Sequence, residues 1–171
     1  MKKVSDSFVT MTEMVLPNDT NTLTNLMGGR LLYWMDIVAA IAAQKHSNSL
    51  VVTASVDNVS FQKPIKLGNV LVLEARVTRA FATSMEVYIE VFGEDIPNKT
   101  RFKSNSAFYT FVAVDKDSKP HSVDPILAET EFEKKLYEQA LQRRQLRLVL
   151  AGRMKPSEAS EIVDIFKSSE G

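Results

Sequence analysis

The chain of 171 residues contains no cysteine and only two histidines, His46 and His121. The lack of cysteine excludes disulfides, zinc–thiolate centres and a cysteine nucleophile together, and it fits a reducing compartment. Two histidines are too few for a multi-histidine metal site, so we predict no metal. The spacing supports no Ser–His–Asp arrangement, and no phosphate-loop or dinucleotide-binding fingerprint is present.

Net charge and long apolar runs are also lacking. Lys+Arg and Asp+Glu both number 21, which gives a formal net charge of zero. The totals therefore indicate neither a nucleic-acid partner nor an anionic membrane. No apolar run approaches the roughly 20 residues that cross a bilayer, and the basic N-terminus lacks the continuous apolar segment of a signal peptide. We expect a soluble cytoplasmic protein.

The most apolar segment, NLMGGRLLYWMDIVAAIAAQKHS from Asn25 to Ser47, is predicted to form one helix. It is apolar on nearly every side, which predicts a buried helix. Gly28 and Gly29 fall in its first turn, although glycine costs a helix up to about 1 kcal/mol relative to alanine. Close approach of another group to the backbone is the usual compensation. One acid, Asp36, interrupts the apolar surface.

Five strands are predicted around this helix from alternating or β-branched residues, over 7–16, 50–61, 70–78, 84–92 and 101–114. Segment 93–98 is predicted to be a connection or an edge bulge. A polar stretch then precedes a C-terminal helix over 130–150, where Thr130 and Glu133 make a capping box. Short antiparallel connections after one buried helix predict an α+β fold, with a curved antiparallel sheet wrapped around the helix.

Five motifs occur in order along the chain. They are D-x-N-x-x-x-N-x-x-G-G-x-L-L-x-x-M-D at 19–36, V-T with V-D at 52–57, F-x-x-P-I-x-x-G at 61–68, T-S-M-E-V at 83–87 and F-V-A-V-D at 111–115. Together they resemble the hotdog-fold acyl-CoA thioesterases, especially brain acyl-CoA hydrolase and its bacterial single-domain relatives. The resemblance runs from about residue 8 to 145. It implies a thioesterase domain over 1–150 and leaves 151–171 as a C-terminal helical extension of unknown role.

The resemblance implies an enzyme that hydrolyses acyl-CoA to free fatty acid and coenzyme A, with no metal or redox cofactor. A lone acid in a buried helix is usually uncharged, solvated at an edge or paired with a base. Here, however, Asp36 lies about two turns beyond Gly28 and Gly29, so the three can line one side of the helix. A thioester carbonyl docked on the glycine amides would be polarised. Asp36 would then act as general base, the role we favour, or as nucleophile.

Asn25, three residues before the glycines, is the second catalytic candidate. It can orient the water or the thioester, it can act as an N-cap of the helix, or it can do both. In the family it resembles, the asparagine and the acid come from different subunits. The resemblance therefore implies a homodimer as the catalytic unit and a homohexamer, a trimer of dimers, as the assembly.

The remaining site candidates are expected to bind the substrate. They are Gly28, Thr53, Phe61, Lys63, Pro64, Thr83, Ser84, Met85 and Arg101. The resemblance places residues 83–85 beside the pantetheine arm and phosphates of coenzyme A, while Lys63 and Arg101 are cations suited to phosphate. The basic cluster between residues 134 and 147 is interpreted as a solvated helix face, with charge for the phosphates of coenzyme A as the alternative.

The sequence has two alternative functions, one within the enzymes and one outside them. A hotdog dehydratase or hydratase needs an Asp–His or His–Glu pair, and the positions of His46 and His121 do not fit that spacing. A non-catalytic acyl-CoA-binding sensor is the alternative from another class. No recognisable DNA-binding motif supports a transcriptional regulator, and the presence of both Asn25 and Asp36 favours catalysis. The acyl chain length does not follow from the sequence.

Overall fold

A computed structural model describes residues 1–168, without the side chains of residues 166–168. Its contacts divide the chain into two compact units, the first over Met1–Leu127 and the second from Ala128 onward. The first unit contains one long helix, a five-stranded sheet and a small two-stranded sheet. The proposed site residues all belong to this unit.

The long helix, α1, covers Gly28–Ser47. It begins three residues later than predicted, because Met27 is extended (φ −66°, ψ 135°) and its carbonyl accepts the first helical hydrogen bond, from the amide of Leu31. Its C-cap is Asn48, whose φ of 51° is left-handed and whose amide donates to the carbonyl of Gln44. No helix in the described part of the chain is long and apolar enough to cross a bilayer.

Seven strands accompany α1. They are β1 (Lys2–Lys3), β2 (Val9–Met14), β3 (Leu50–Val56), β4 (Val70–Ala80), β5 (Ser84–Asp95), β6 (Thr100–Val114) and β7 (Ile126–Leu127). The large sheet is antiparallel with the order β2-β4-β5-β6-β3, and β1 pairs with β7 in parallel. The α+β hotdog architecture predicted from the sequence is confirmed.

The alternation of β4 and β5 places one apolar row of each strand in the core. The fully buried members of these rows are Leu71, Leu73, Ala75, Val77, Met85, Val87, Ile89 and Val91. On α1, Met35, Val38 and Ala42 are equally buried, and α1 contacts both strands. Small side chains at 39, 42 and 43 let the sheet approach the helix closely.

β2 begins and ends two residues inside its predicted range, β4 ends two residues later and β6 begins one residue earlier than predicted. The larger differences are at the end of β3 and in the β5–β6 hairpin. β3 ends at Val56 rather than Phe61, since the polar residues that follow and Pro64, which has no amide hydrogen, leave the sheet as a loop over 57–64. The β5–β6 hairpin is longer than predicted, because Gly93 pairs with Phe102. This pairing places Gly93 inside the strand rather than in a connection, and a Cβ at this position would collide with the ring of Phe102.

The second unit contains the helices α2 (Glu131–Leu150) and α3 (Ser160–Ser168). The predicted capping box is confirmed: the Glu133 amide donates to the Thr130 hydroxyl over 3.2 Å, and the Thr130 amide donates to the Glu133 carboxylate over 3.0 Å. The Glu161 amide donates to Oε1 of Gln145 and joins α3 to α2. Contacts thus divide the chain at residue 127, and the thioesterase domain boundary at residue 150 stays a prediction.

Candidate active site

Asp36 lies in the middle of α1 and is half-buried rather than enclosed in an apolar wall. The hydroxyl of Thr53, on β3, donates to Oδ1 of Asp36 over 2.7 Å. Oδ2 accepts no hydrogen bond from any described residue. Thr53, predicted to bind substrate, therefore orients the carboxylate, and the second carboxylate oxygen is available to a water or a substrate atom.

Tyr109 lies on β6 and is almost fully buried near Asp36. Its hydroxyl is 3.5 Å from the carbonyl of Leu32, one turn before Asp36 on α1. Burial, and then the negative charge of Asp36, raise the pKa of Tyr109 to about 12. The phenol therefore stays neutral at any physiological pH. No role was assigned to Tyr109 from the sequence, because the contact between β6 and α1 joins distant segments of the chain.

Gly28 and Gly29 are the first two residues of α1, so their amides have no acceptor within the helix. Their surroundings differ. A Cβ on Gly28 would lie 3.2 Å from the ring of Phe61, whereas nothing lies within 4 Å of a Cβ on Gly29. The close approach expected at the glycines is thus made by Phe61 at Gly28, while the backbone at Gly29 faces open space that a substrate can enter.

The loop before α1 carries two side-chain amides. Oδ1 of Asn21 accepts from the amides of Leu23, over 2.9 Å, and of Asn25, over 3.2 Å, which leaves its NH₂ group as a donor. The backbone of Asn25 bridges to Lys66. The N-cap of α1 is Met27, so the interpretation of Asn25 as an N-cap is wrong.

A cavity of about 240 Å³ opens in front of this loop and the start of α1. Its walls bring together five of the predicted residues, Asn25, Gly28, Phe61, Lys63 and Pro64. Asn21 also lines it, although no role was assigned to this residue from the sequence. Asparagine side chains in turns often accept a hydrogen bond from the backbone two residues further along the chain. The position of Asn21 before a turn is therefore the signal that could have indicated its fixed side chain.

The other predicted residues lie away from this cavity. The Thr83 carbonyl accepts from the Ala113 amide over 2.9 Å, and Ser84 begins β5. The Met85 side chain is fully buried in the core. Arg101 forms ion pairs with Glu94 and Glu74 at 2.9 and 3.4 Å, and it stacks on Phe92 at 4.4 Å.

Arg101 and Ser84 stand at opposite ends of the β5–β6 hairpin. Arg101 pairs with Glu94, ten residues beyond Ser84 on β5, which corresponds to about 30 Å of strand. The two residues are too far apart to touch one small ligand in one chain. Among residues 1–168, no three His, Asp or Glu side chains form a group that could hold a metal ion. The absence of a cofactor stays a prediction.

Comparison with known proteins identifies the family. The model of the thioesterase superfamily matches residues 23–98. The uncharacterized acyl-CoA thioester hydrolase of Bacillus subtilis is 40% identical over 138 residues, which cover 81% of this chain and 80% of that protein. The chain belongs to the acyl-CoA thioester hydrolase family.

Two solved structures that resemble this chain are also an acyl-CoA thioesterase and an acyl-CoA hydrolase. A hexameric acyl-CoA thioesterase, crystallised in its apo form, superposes with a TM-score of 0.85 at 42% identity, over 87% of this chain and 96% of that one. The acyl-CoA hydrolase of Staphylococcus aureus, solved with butyryl coenzyme A, coenzyme A and coenzyme A disulfide, has a TM-score of 0.82 at 37% identity, over 95% and 98% of the two chains.

The Staphylococcus aureus hydrolase has also been solved with an asparagine, an aspartate or a threonine replaced by alanine. In its sequence the asparagine precedes the aspartate by 15 residues, and the aspartate precedes the threonine by 17. Asn21, Asp36 and Thr53 are separated by the same two intervals in this family member.

Proposed function

We propose that the chain hydrolyses the thioester bond of acyl-CoA and releases a free fatty acid and coenzyme A. The observation that carries the proposal is the Asp36 carboxylate, held by the Thr53 hydroxyl with one oxygen left open. The first turn of the same helix offers unpaired amides at Gly28 and Gly29. The names of its relatives and the coenzyme A ligands of the Staphylococcus aureus hydrolase support acyl-CoA as the substrate.

In the proposed reaction, the thioester carbonyl oxygen binds the amides at Gly28 and Gly29, where the helix N-terminus stabilises negative charge. Asp36 removes a proton from a water, whose oxygen attacks the carbonyl carbon. The tetrahedral intermediate then expels the sulfur, and the proton held by Asp36 returns to the leaving thiolate. The reaction consumes only water, needs no metal or redox cofactor, and is proposed to occur in the cytoplasm.

Two asparagines can hold the thioester. Asn25 lines the cavity beside Gly28, as predicted. Asn21 is supported by two further observations. Its Oδ1 is fixed by two backbone amides, which leaves its NH₂ as a donor, and its spacing to Asp36 and Thr53 equals that of the substituted residues in the Staphylococcus aureus hydrolase. We assign the donor role to Asn21 and a wall position to Asn25.

The proposed catalytic groups of one chain are too far apart to act on one thioester. Asp36 follows Gly29 by seven residues, so the two share a helix face but lie about 10 Å apart along the axis. Reacting groups need to be within about 3.5 Å. We therefore propose that the glycine amides and the asparagine of one chain meet Asp36 of a second chain, which makes a homodimer the catalytic unit.

The edge strand β3 offers a surface for this dimer. It ends the sheet next to β6, carries Thr53, and exposes the side chains of Leu50, Val52 and Val56. An exposed apolar edge strand is a template for pairing with another chain. We propose that two β3 strands pair across the dimer and that three dimers form a hexamer, an arrangement supported by the hexameric relative.

The deciding experiment measures the release of coenzyme A thiol from acyl-CoAs of short to long chain. The absence of cysteine keeps the background of a thiol-reactive dye low. We expect turnover by the wild type and a loss of about 10²–10⁴-fold in Asp36→Asn. Asp117→Asn, in an exposed turn, is the matched control and should retain full activity. If the chain binds acyl-CoA but releases thiol from none of these acyl-CoAs, the non-catalytic sensor is favoured.

A further inference from the structure

The start of α1 lacks the side chains that usually hold the end of a helix. Its N-cap, Met27, offers no side-chain hydrogen bond, and its first turn contains no acidic residue. Ser, Thr, Asp and Asn are preferred at an N-cap because their side-chain oxygen accepts from the second or third helical amide. In α1 these are the amides of Gly29 and Arg30. A side-chain cap would therefore compete for the amides at which the proposed reaction places the thioester oxygen.

Asp19 holds this helix end from outside the helix. It is only 5% exposed. Its Oδ1 accepts from Nε of Arg30 over 2.7 Å, its carbonyl accepts from the amide of Met27 over 2.8 Å, and its Oδ2 accepts from the amide of Leu16 over 2.9 Å. One residue thus joins the chain before the loop over 20–26 to the start of α1. None of these three hydrogen bonds uses a glycine amide.

The charge of Arg30 depends on the Asp19 carboxylate. A cation in the first turn of a helix is unfavourable, because the N-terminus of a helix carries a partial positive charge. The carboxylate compensates for both, and the guanidinium also lies 5.7 and 5.6 Å from the ring centroids of Tyr33 and Trp34. Removal of one partner would leave the other charge uncompensated. Asp19 and Arg30 should therefore act as a unit.

The loop between Asp19 and Met27 needs this support because its backbone is strained at Thr24. The φ of Thr24 is 58°, a left-handed conformation that β-branched residues rarely adopt. Such strain persists only where the surrounding structure holds it. The loop carries Asn21, the proposed donor, whose carbonyl accepts from the amide of Thr24 over 3.0 Å. Release of the loop would therefore displace the donor.

We propose that Asp19 and Arg30 are positioning residues for the hydrolysis. They hold the uncapped start of α1 and the loop of Asn21 from outside, so that the amide of Gly29 stays fixed in place and open to the thioester oxygen. The inference rests on the proposed function, because the groups that the pair positions are those proposed to act in hydrolysis. An ordinary side-chain cap at position 27 would stabilise the helix equally well but would obstruct the site.

Substitutions at Met27 separate stability from activity. Met27→Ser supplies the missing cap, and Met27→Ala is its matched control without the hydroxyl. We expect Met27→Ser to melt at the same or a higher temperature than Met27→Ala. Its kcat should nevertheless be lower by about tenfold or more, because the hydroxyl competes with the thioester for the amides. Equal kcat in the two variants, or a lower melting temperature of Met27→Ser, overturns the inference.

Arg30→Gln and Asp19→Asn test the positioning pair itself. Thiol release is measured well below the lowest melting temperature, on samples of equal molar mass by light scattering, so a merely stabilising pair would leave kcat unchanged. We expect kcat to fall by about tenfold or more in both variants with little change in KM, because displaced groups lose interactions made only in the transition state. Lys134→Gln, which breaks the exposed ion pair with Glu131 on α2, should keep wild-type kcat.

The outcomes distinguish this inference from the function on which it rests. If Asp36→Asn loses activity but Arg30→Gln keeps wild-type kcat, the inference is overturned and the proposed function stands. If the wild type releases no thiol from any acyl-CoA, both are overturned. Arg30 is partly exposed, so Arg30→Gln should fold and decide the matter even if Asp19→Asn does not fold.

Discussion

At the scale of single residues, the two glycines that begin α1 differ in what a methyl group would meet. Nothing lies within 4 Å of a Cβ on Gly29, and alanine is the better helix former by up to about 1 kcal/mol. We expect Gly29→Ala to melt at the same or a higher temperature. It should nevertheless lose at least about tenfold in kcat/KM, because the methyl group blocks the approach of the thioester to the amides.

Gly28→Ala is the comparison for this prediction. Its Cβ would lie 3.2 Å from the ring of Phe61, so a loss of activity there has a structural explanation that does not involve the substrate. Melting curves and kcat/KM for both variants separate the two cases. Full activity in Gly29→Ala would mean that the substrate carbonyl binds elsewhere.

The two asparagines can be separated by substitutions to aspartate. Asn21→Asp keeps the oxygen that accepts from the amides of Leu23 and Asn25 and replaces the NH₂ donor with a second, negatively charged carboxylate oxygen. If that donor holds the thioester, kcat should fall by about 10²-fold with little change in thermal stability. Asn25→Asp should cost less. The reverse order of the two losses would return the catalytic role to Asn25, as predicted from the sequence.

At the scale of elements, the sequence predicted periodic segments well and irregular ones poorly. α1 is predicted from a segment that is apolar on nearly every side, and β4 and β5 are predicted from alternating apolar residues. The apolar rows expected in the core of both strands are buried, but Glu86 and Tyr88, on the row of β5 expected to face outward, are buried as well. The predicted end of β3 at Phe61 is wrong, because the β-branched residues on which the prediction rests continue beyond Val56, where the strand ends. The ring of Phe61 instead packs on Gly28, a contact between distant segments that no local pattern contains.

The candidate site also contains some features that local spacing predicts and others that it does not. The position of Asp36 on the face of Gly29 follows from helical spacing alone. The Thr53–Asp36 hydrogen bond joins β3 to α1, and the fixed amide of Asn21 depends on the conformation of a loop. Arg101 is a plausible phosphate partner by charge, but it forms ion pairs with its cross-strand neighbour Glu94 on β5 and with Glu74 on β4. Such pairings depend on strand register, which sequence patterns define only coarsely.

The C-terminal end of α1 carries a histidine whose charge state should affect stability. His46 is almost fully buried, its Nε2 lies 2.8 Å from the Asp124 carbonyl, and Lys2 caps the carbonyls of Lys45 and His46. Burial is the largest cause that lowers the pKa of His46, and the charge of Lys2 adds to it, against the opposing effects of Asp124 and Asp6. The cation that a helix C-terminus favours is therefore disfavoured here.

The sign of the pH dependence follows from linkage. Because the pKa of His46 is lower in the folded state, the unfolded chain takes up a proton first as the pH falls through its unfolded value of about 6.5. The contribution of His46 to the free energy of unfolding is therefore fully present above that pH and is lost as the pH falls below it. We expect the melting temperature to fall between pH 7.5 and 5.5 by a few degrees more in the wild type than in His46→Gln. Equal shifts in both would show that other groups dominate.

At the scale of the whole molecule, one chain contains complementary halves of the proposed site rather than a complete one. The amide donors lie at the start of α1, and the acid lies about 10 Å further along the same helix, beside an exposed sheet edge. Within one chain, neither half can complete the other, because both belong to one rigid element. Activity should consequently depend on assembly as much as on either residue.

Complementation between two inactive variants tests this directly. In a dimer that combines one Asp36→Asn chain with one Asn21→Asp chain, one site receives both substitutions and the other receives none. Random pairing after co-refolding should therefore restore about a quarter of wild-type kcat, whereas each variant refolded alone should retain only about 1% or less. The measurement is thiol release from acyl-CoA, with molar mass by light scattering to verify the same assembly in every sample. If each site lies within a single chain, every site carries one substitution in any mixture, and no activity returns.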